Sequence, residues 1–84
     1  MSTLTTDYTA ENKRRSYRNR LKAGDRVEFL TGVVRATSRA RGGDRGTVIC
    51  ENNAGFRGIE AQVILDISGA LVSHVSTGIL RKLP

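Results

Sequence analysis

The strongest constraint on the fold of this chain is the apolar alternation in residues 59–67, "IEAQVILDI". Apolar side chains stand at every second position of the segment: Ile59, Ala61, Val63, Leu65 and Ile67. Because successive side chains of a β-strand point to opposite faces, this spacing predicts a strand with one buried face. At 84 residues the chain has room for one compact domain with one core.

Three further strands and two turns are predicted around this segment. The strands are expected at residues 25–30, 46–51 and 70–75, followed within 76–84 by a short helical turn and a last short strand. The expected inward side chains include Val27, Phe29, Val48 and Cys50, with Leu80 and Leu83 closing the end of the domain. Asn and Gly in residues 52–58, and the pair Ser68-Gly69, predict the turns.

The segment between the first two strands, "TGVVRATSRARGG" at residues 31–43, is compatible with two structures. Thr31-Gly32 can turn a hairpin that returns through "VVRAT". The whole stretch can equally form an open loop. The residue pattern leaves both alternatives open.

The net charge of +6 is concentrated in the first half of the chain. Residues 1–45 contain eleven basic and five acidic side chains, whereas residues 46–84 contain three of each. Such a local excess indicates a polyanionic partner, and arginine, the commoner base here, can bind phosphate with two parallel hydrogen bonds. The alternative is a basic surface that only favours solubility.

The N-terminal part is predicted to be a flexible basic arm, residues 1–22, before a folded domain at 23–84. Residues 1–11 are polar and Thr-rich, and residues 12–22, "NKRRSYRNRLK", carry six positive charges and no acid. Tyr17 and Leu21 would share a helix face but do not form an amphipathic stripe. Because like charges repel, the arm is expected to be largely disordered alone and helical only against a partner.

Two glycine motifs carry a family resemblance across residues 23–83. The pattern Gly-Asp-x-Val, a loop, then Gly-x-x-Gly-x-Val falls on Gly24, Asp25, Val27, Gly43, Gly46 and Val48. It resembles the KOW-type SH3-like barrel of ribosomal proteins and bacterial transcription elongation factors. The resemblance implies a mainly β fold, a small five-stranded barrel, and binding to RNA in preference to DNA. The loop at 31–42 is longer than the usual KOW loop, and other SH3-like barrels, such as accessory subunits of electron-transfer complexes and nitrile hydratases, bind proteins.

The candidate nucleic-acid-binding residues form three groups. The arm contributes Lys13, Arg14, Arg15, Arg18, Arg20 and Lys22, with Tyr17 as a ring for base stacking. The long loop contributes Arg35, Arg39, Arg41 and Arg45, which are predicted to join the arm in one electropositive face. The turn contributes Phe56 for stacking and Arg57 for phosphate. The alternatives are a solvated tail, arginines that point in several directions, and a Phe56 that folds back as a cap.

Catalytic, metal and cofactor sites are not expected. His74 and Cys50 are the only residues of their types, whereas a metal site normally needs three or four such ligands. His74 is expected to face solvent and Cys50 to be buried without a disulfide partner. "GGDRG" lacks the Lys-Ser/Thr of a phosphate loop. With no signal peptide and only short apolar runs, the chain is predicted to be a cytoplasmic, non-enzymatic protein without a membrane segment.

Three functions are compatible with these features. The first is a nucleic-acid-binding module, RNA favoured over DNA, that acts in transcription or translation. The second is a protein-docking barrel that regulates a larger complex such as RNA polymerase or the ribosome, with Ile64 and Val33-Val34 as contact residues. The third is a structural subunit of a homo-oligomer or multi-subunit enzyme with paired strand edges. The sequence does not determine the oligomeric state.

Overall fold

Antiparallel β-structure dominates a computed structural model that describes residues 9–84, with 43% of those residues in strands and 17% in helices. The strands are β1 (Arg26–Phe29), β2 (Val33–Val34), β3 (Arg39–Ala40), β4 (Arg45–Asn53), β5 (Ile59–Leu65), β6 (Leu71–Ser76) and β7 (Leu80–Lys82). One α-helix, α1 (Ala10–Ser16), precedes them, and two 3₁₀ turns lie at Gly55–Arg57 and Thr77–Ile79. The mainly β class predicted from the sequence is therefore confirmed.

Five strands form one sheet in the order β6-β5-β4-β1-β7, and β2 pairs with β3 in a separate hairpin. The inward positions predicted for β5 are confirmed, because Ile59, Ala61, Val63 and Leu65 are buried, but Glu60 of the predicted polar face is buried as well. The strand ends at Leu65, and Ile67, predicted to be inward, is 84% exposed in the turn beyond it. Val27 and Phe29 of β1 are buried as expected.

Residues 31–43, for which the sequence allowed either a hairpin or an open loop, contain a hairpin. Its turn lies at residues 35–38 instead of Thr31-Gly32. The Arg35 amide donates to the Ser38 carbonyl at 2.8 Å across this turn. Val33 and Ala40, opposite each other in the hairpin, are buried in the same apolar cluster as the sheet. The hairpin therefore completes the core.

A β-bulge in β4 overturns the prediction that Cys50 is buried beside Val48. Val48 pairs with Val63, but Cys50 pairs with Gln62, so that Ile49 is the extra residue between them. One extra residue reverses the facing of every later side chain on the strand. Val48 is accordingly buried and Cys50 exposed.

The glycine motif before β4 has two separate physical causes. Gly43 has a φ of +95°, a left-handed conformation that favours glycine. At Gly46 a Cβ atom would lie 2.4 Å from the Ile64 carbonyl oxygen of β5. The first glycine therefore allows the turn, and the second allows two strands to approach closely.

Helix α1 packs against the sheet, so the expected flexible arm is wrong for residues 9–22; residues 1–8 lie outside the described part. The Thr9 hydroxyl caps the helix by accepting from the Asn12 amide at 3.1 Å. Asn12 and Ser16, one turn apart, are buried. A Cβ at Gly78 would lie 2.3 Å from the Asn12 carbonyl oxygen, and one at Gly58 2.5 Å from Ser16 Oγ. The helix therefore docks through small polar residues that pack over two glycines. A search of the sequence for an apolar helix face does not detect a contact of this kind.

Ser16 is the main hydrogen-bonding link between α1 and the sheet. Its hydroxyl donates to the Lys13 carbonyl at 2.6 Å and accepts from the Ile59 amide of β5 at 2.9 Å. Its carbonyl accepts from the Thr77 hydroxyl at 3.0 Å. Leu21, further along, is buried in the core cluster. Ser16 and Leu21 are thus two points at which the helical segment is attached to the rest of the fold.

Among residues 9–84, no helix has both the length and the apolar character needed to cross a membrane.

Replacing Ser16 with alanine is expected to lower the free energy of unfolding by about 1–3 kcal/mol, because the buried Ile59 amide loses its acceptor. Ser68→Ala is the matched control, since Ser68 accepts from the Ala70 amide at an exposed turn. That variant should change stability by less than about 0.5 kcal/mol. Chemical denaturation measures both, and equal effects would contradict the role of Ser16.

Candidate nucleic-acid interface

The outward side of the docked segment carries four basic residues. Because Asn12 and Ser16 face the sheet, their neighbours on the helix face solvent. Lys13 is half-buried, whereas Arg14, Arg15 and Arg18 are exposed. None of the four forms an ion pair with a carboxylate of residues 9–84. The docked segment therefore holds four cations without a contact ion pair among residues 9–84, with Glu11 as the acidic residue of the same helix; we call these four residues the α1 cations.

The other two basic residues of the predicted arm hold the segment in place. The Arg20 guanidinium donates to Glu51 Oε1 at 2.8 Å, and the Leu21 amide donates to Glu51 Oε2 at 2.6 Å. Lys22 Nζ lies 3.5 Å from Asp25 Oδ1. Both residues are thus used within the fold, whereas the α1 cations have no ion pair with the carboxylates of residues 9–84.

The carboxylates that anchor the segment titrate below their ordinary range. Burial raises the pKa of Glu51, but the hydrogen bonds from Arg20 and from the Leu21 amide lower it by more, so the net shift is downward. The pKa of Asp25 is lowered chiefly by the hydrogen bond from the Lys22 amide, against a smaller effect of burial. Both carboxylates are thus stabilised in the charged form.

The two predicted stacking rings meet at the 3₁₀ turn Gly55–Arg57. Phe56 is 80% exposed, so the alternative that it folds back as a cap is wrong. Tyr17 is 47% exposed, and its hydroxyl donates to the Gly55 carbonyl at 3.4 Å. The Arg57 guanidinium carbon lies 5.7 Å from the centroid of the Phe56 ring. We call Tyr17, Phe56 and Arg57 the aromatic tip.

A buried carboxylate, Glu60, lies beneath the aromatic tip. It is 0% exposed, with Oε2 3.4 Å from Arg57 Nε and Oε1 3.3 Å from His74 Nδ1. His74 has a left-handed φ of 58° and is exposed, as predicted. Sequence reasoning missed Glu60, because its place on the polar side of β5 predicts exposure. In residues 9–84 no group of three or more His, Cys, Asp or Glu could hold a metal.

A cleft of about 450 Å³ lies between the end of the helical segment and β7. Its lining residues are Arg15, Arg18, Asn19, Leu30, Gly78, Leu80, Arg81 and Lys82. The Asn19 amide group fixes one wall by donating to the Thr77 and Leu80 carbonyls at 2.7 and 2.6 Å. Arg81 pairs with Glu28, so Arg15 and Arg18 supply the unneutralised charge. The sequence analysis did not predict that β7 lines this cleft, because β7 and the helical segment are far apart in the sequence.

The loop arginines divide into one structural and three exposed side chains. Arg35 donates to the Ser73 and His74 carbonyls at 3.0 and 2.7 Å, which fastens the hairpin to β6. The exposed arginines are Arg39, Arg41 and Arg45. The turn after β3 folds onto the end of β1, where the Gly43 amide donates to the Phe29 carbonyl at 2.7 Å. A single electropositive face shared by arm and loop stays a prediction.

Acid is expected to destabilise the fold partly through Glu51. Because its pKa is lower in the folded than in the unfolded chain, its contribution is present above about pH 5 and is lost as pH falls towards the folded pKa. Glu51→Gln should therefore unfold at a lower temperature at pH 7 and lose less stability between pH 7 and pH 4 than the wild type. Thermal unfolding followed by circular dichroism measures this, and parallel pH profiles would contradict it.

The comparisons with known proteins supply no family for this chain. No protein-family model, no curated protein and no solved structure matches it.

Proposed function

We propose that this chain is a non-enzymatic nucleic-acid-binding module, with RNA favoured over DNA, that acts in transcription or translation. The observation that carries the proposal is the row of α1 cations, which has no acidic partner among residues 9–84. Like charges held together on a rigid surface repel each other, and a polyanion relieves that repulsion. We place the protein in the cytoplasm, as its sequence predicts.

The preference for RNA rests on the KOW resemblance, and so does the finer description of the fold. We propose that the sheet and hairpin form a closed, five-stranded SH3-like barrel of the KOW type. The two glycine motifs support it, since they precede β1 and β4, which pair with each other in the sheet. The order β4-β1-β7 also brings the last strand beside the first, and the proposed barrel requires the edge strands β6 and β7 to approach each other in addition.

The binding mechanism follows from the rigid support of the α1 cations. Arg14 lies in α1 and Arg18 lies two residues beyond its end, and both side chains are exposed. Arg15 and Arg18 line the cleft, so a phosphate there would meet two guanidinium groups. Such contacts bind the sugar-phosphate backbone irrespective of sequence. Because the helix is already docked, binding does not have to order it.

A second candidate function, protein docking, is favoured by apolar residues on the outer side of the sheet. Ile49, Ile64 and Leu71 are all exposed, and Ile64 pairs directly with Leu71. Val34 is exposed as the docking hypothesis requires, but Val33 is buried and cannot contact a partner. In this alternative the partner is a large assembly such as RNA polymerase or the ribosome.

Two single substitutions test the first function. Arg14→Gln and Arg18→Gln are each expected to weaken RNA binding and to make the slope of log K against log salt concentration shallower by about 0.7–0.9, because each removes one phosphate contact. Arg26→Gln is the matched control: it removes the same charge, but from an ion pair with Asp66. Fluorescence anisotropy with a labelled RNA at several salt concentrations measures the slopes.

Equal slopes for all three variants would contradict a specific role for the α1 cations. Failure of the wild type to bind RNA or DNA at low salt would overturn the proposed function and favour docking. Substitution is a better test than deletion of residues 12–22, because that deletion would also remove the buried Ser16 and Leu21.

A further inference from the structure

The aromatic tip has a feature that phosphate binding does not use. Phe56 presents an almost uncovered apolar ring, and Tyr17 presents a second ring whose hydroxyl contacts the same turn. Exposed phenylalanine is unfavourable in water, because burial of its apolar surface would release ordered solvent. A ring held open in this way is accessible to a ligand that can cover it.

The tip is held in shape independently of any ligand. The Gly58 amide donates to the Gly55 carbonyl at 2.9 Å, and the Ala54 amide donates to the Gly58 carbonyl at 2.8 Å. The Asn53 side chain accepts from the Gly55 amide at 2.8 Å. Beneath the turn, the buried carboxylate of Glu60 pairs with Arg57. A rigid platform loses little conformational freedom when a flat ligand stacks on it.

The charge around the tip defines the kind of ligand. Lys13 and Tyr17 are one helical turn apart, and a Cβ at Gly58 would lie 3.1 Å from Lys13 Cγ, so the ammonium stem runs beside the turn. The Arg57 guanidinium lies against the Phe56 ring but is paired with Glu60, so Lys13 is the cation beside the tip that a ligand can use. A ligand that matches two rings and a neighbouring cation has planar faces joined by negative charges. An unpaired stretch of nucleotides has this chemistry, whereas a duplex keeps its base faces stacked internally.

We infer that Tyr17 and Phe56 stack on unpaired bases, so that the protein binds single-stranded nucleic acid more tightly than duplex. The inference rests on the proposed function and narrows its ligand to single strands. In this arrangement the α1 cations hold the phosphates, and the aromatic tip holds the bases. The tip thereby distinguishes a single strand from a duplex, a difference that phosphate contacts alone would not detect.

Phe56 variants test the inference against a single-stranded oligouridine and a duplex of equal length. Phe56→Ala and Phe56→Leu should each weaken single-strand binding by between about fivefold and 150-fold, the loss expected for one stacked base. Phe56→Tyr keeps a flat ring and should therefore retain the wild-type affinity for the single strand. Duplex binding and the salt slope should be unchanged in all three variants. Because Phe56 is exposed, thermal unfolding should confirm that each variant folds.

The outcomes separate this inference from the proposed function. Equal wild-type affinity for single strand and duplex would overturn stacking and leave phosphate binding intact. If Phe56→Leu binds the single strand as tightly as the wild type, residue 56 makes an apolar contact that does not require a flat ring. That result would also overturn stacking. If Phe56→Ala binds the single strand fully while Arg14→Gln loses binding, the aromatic tip does not contact the bases. That result would overturn stacking and favour a protein partner for the tip. Absence of any nucleic-acid binding would overturn both proposals.

Discussion

The candidate interface depends on the contact between Ser16 and β5. One hydroxyl donates to its own helix and accepts from the Ile59 amide, so it links the helix and the sheet through a single side chain. Because Gly58 and Gly78 lack side chains, the helix lies close enough for this contact to form. The α1 cations and Tyr17 are thereby fixed relative to Phe56. Without the contact, the segment would keep its attachments at Asn19 and Leu21, but the helix would lose its direct hydrogen bond to β5.

Strands with strict alternation could be predicted from the sequence, and irregular elements could not. The burial of Val27, of Phe29 and of the apolar residues of β5 follows directly from the period of two. Cys50 does not, because the bulge depends on how β4 pairs with a strand more than ten residues away. The docked helix was missed for a related reason. Its buried side is made of Asn12 and Ser16, which a search for apolar residues passes over.

The sequence predicted most of the residues that the candidate site contains. It did not predict which contacts each of these residues makes in the folded chain. The sequence identified the basic arm, Tyr17 and Phe56, but charge alone does not say which cations find an internal partner. Arg20 binds Glu51 and Arg35 binds backbone carbonyls, contacts that exist only in the folded chain. Glu60 and the β7 wall of the cleft were missed, because strand pairing assembles them from distant segments.

Helix α1 rests on residues near the other end of the chain, with its Ser16 carbonyl bonded to Thr77 and Asn19 bonded to the Leu80 carbonyl. A ribosome makes the basic segment early, Ile59 of its docking surface 43 residues after Ser16, and Thr77 of that surface 61 residues after Ser16. During that interval the cations are tethered to a growing chain with no surface to organise them. The charges therefore acquire their full arrangement only after Thr77 and Leu80 have been made, so a chain truncated before Thr77 would keep the positive charge and lose its arrangement.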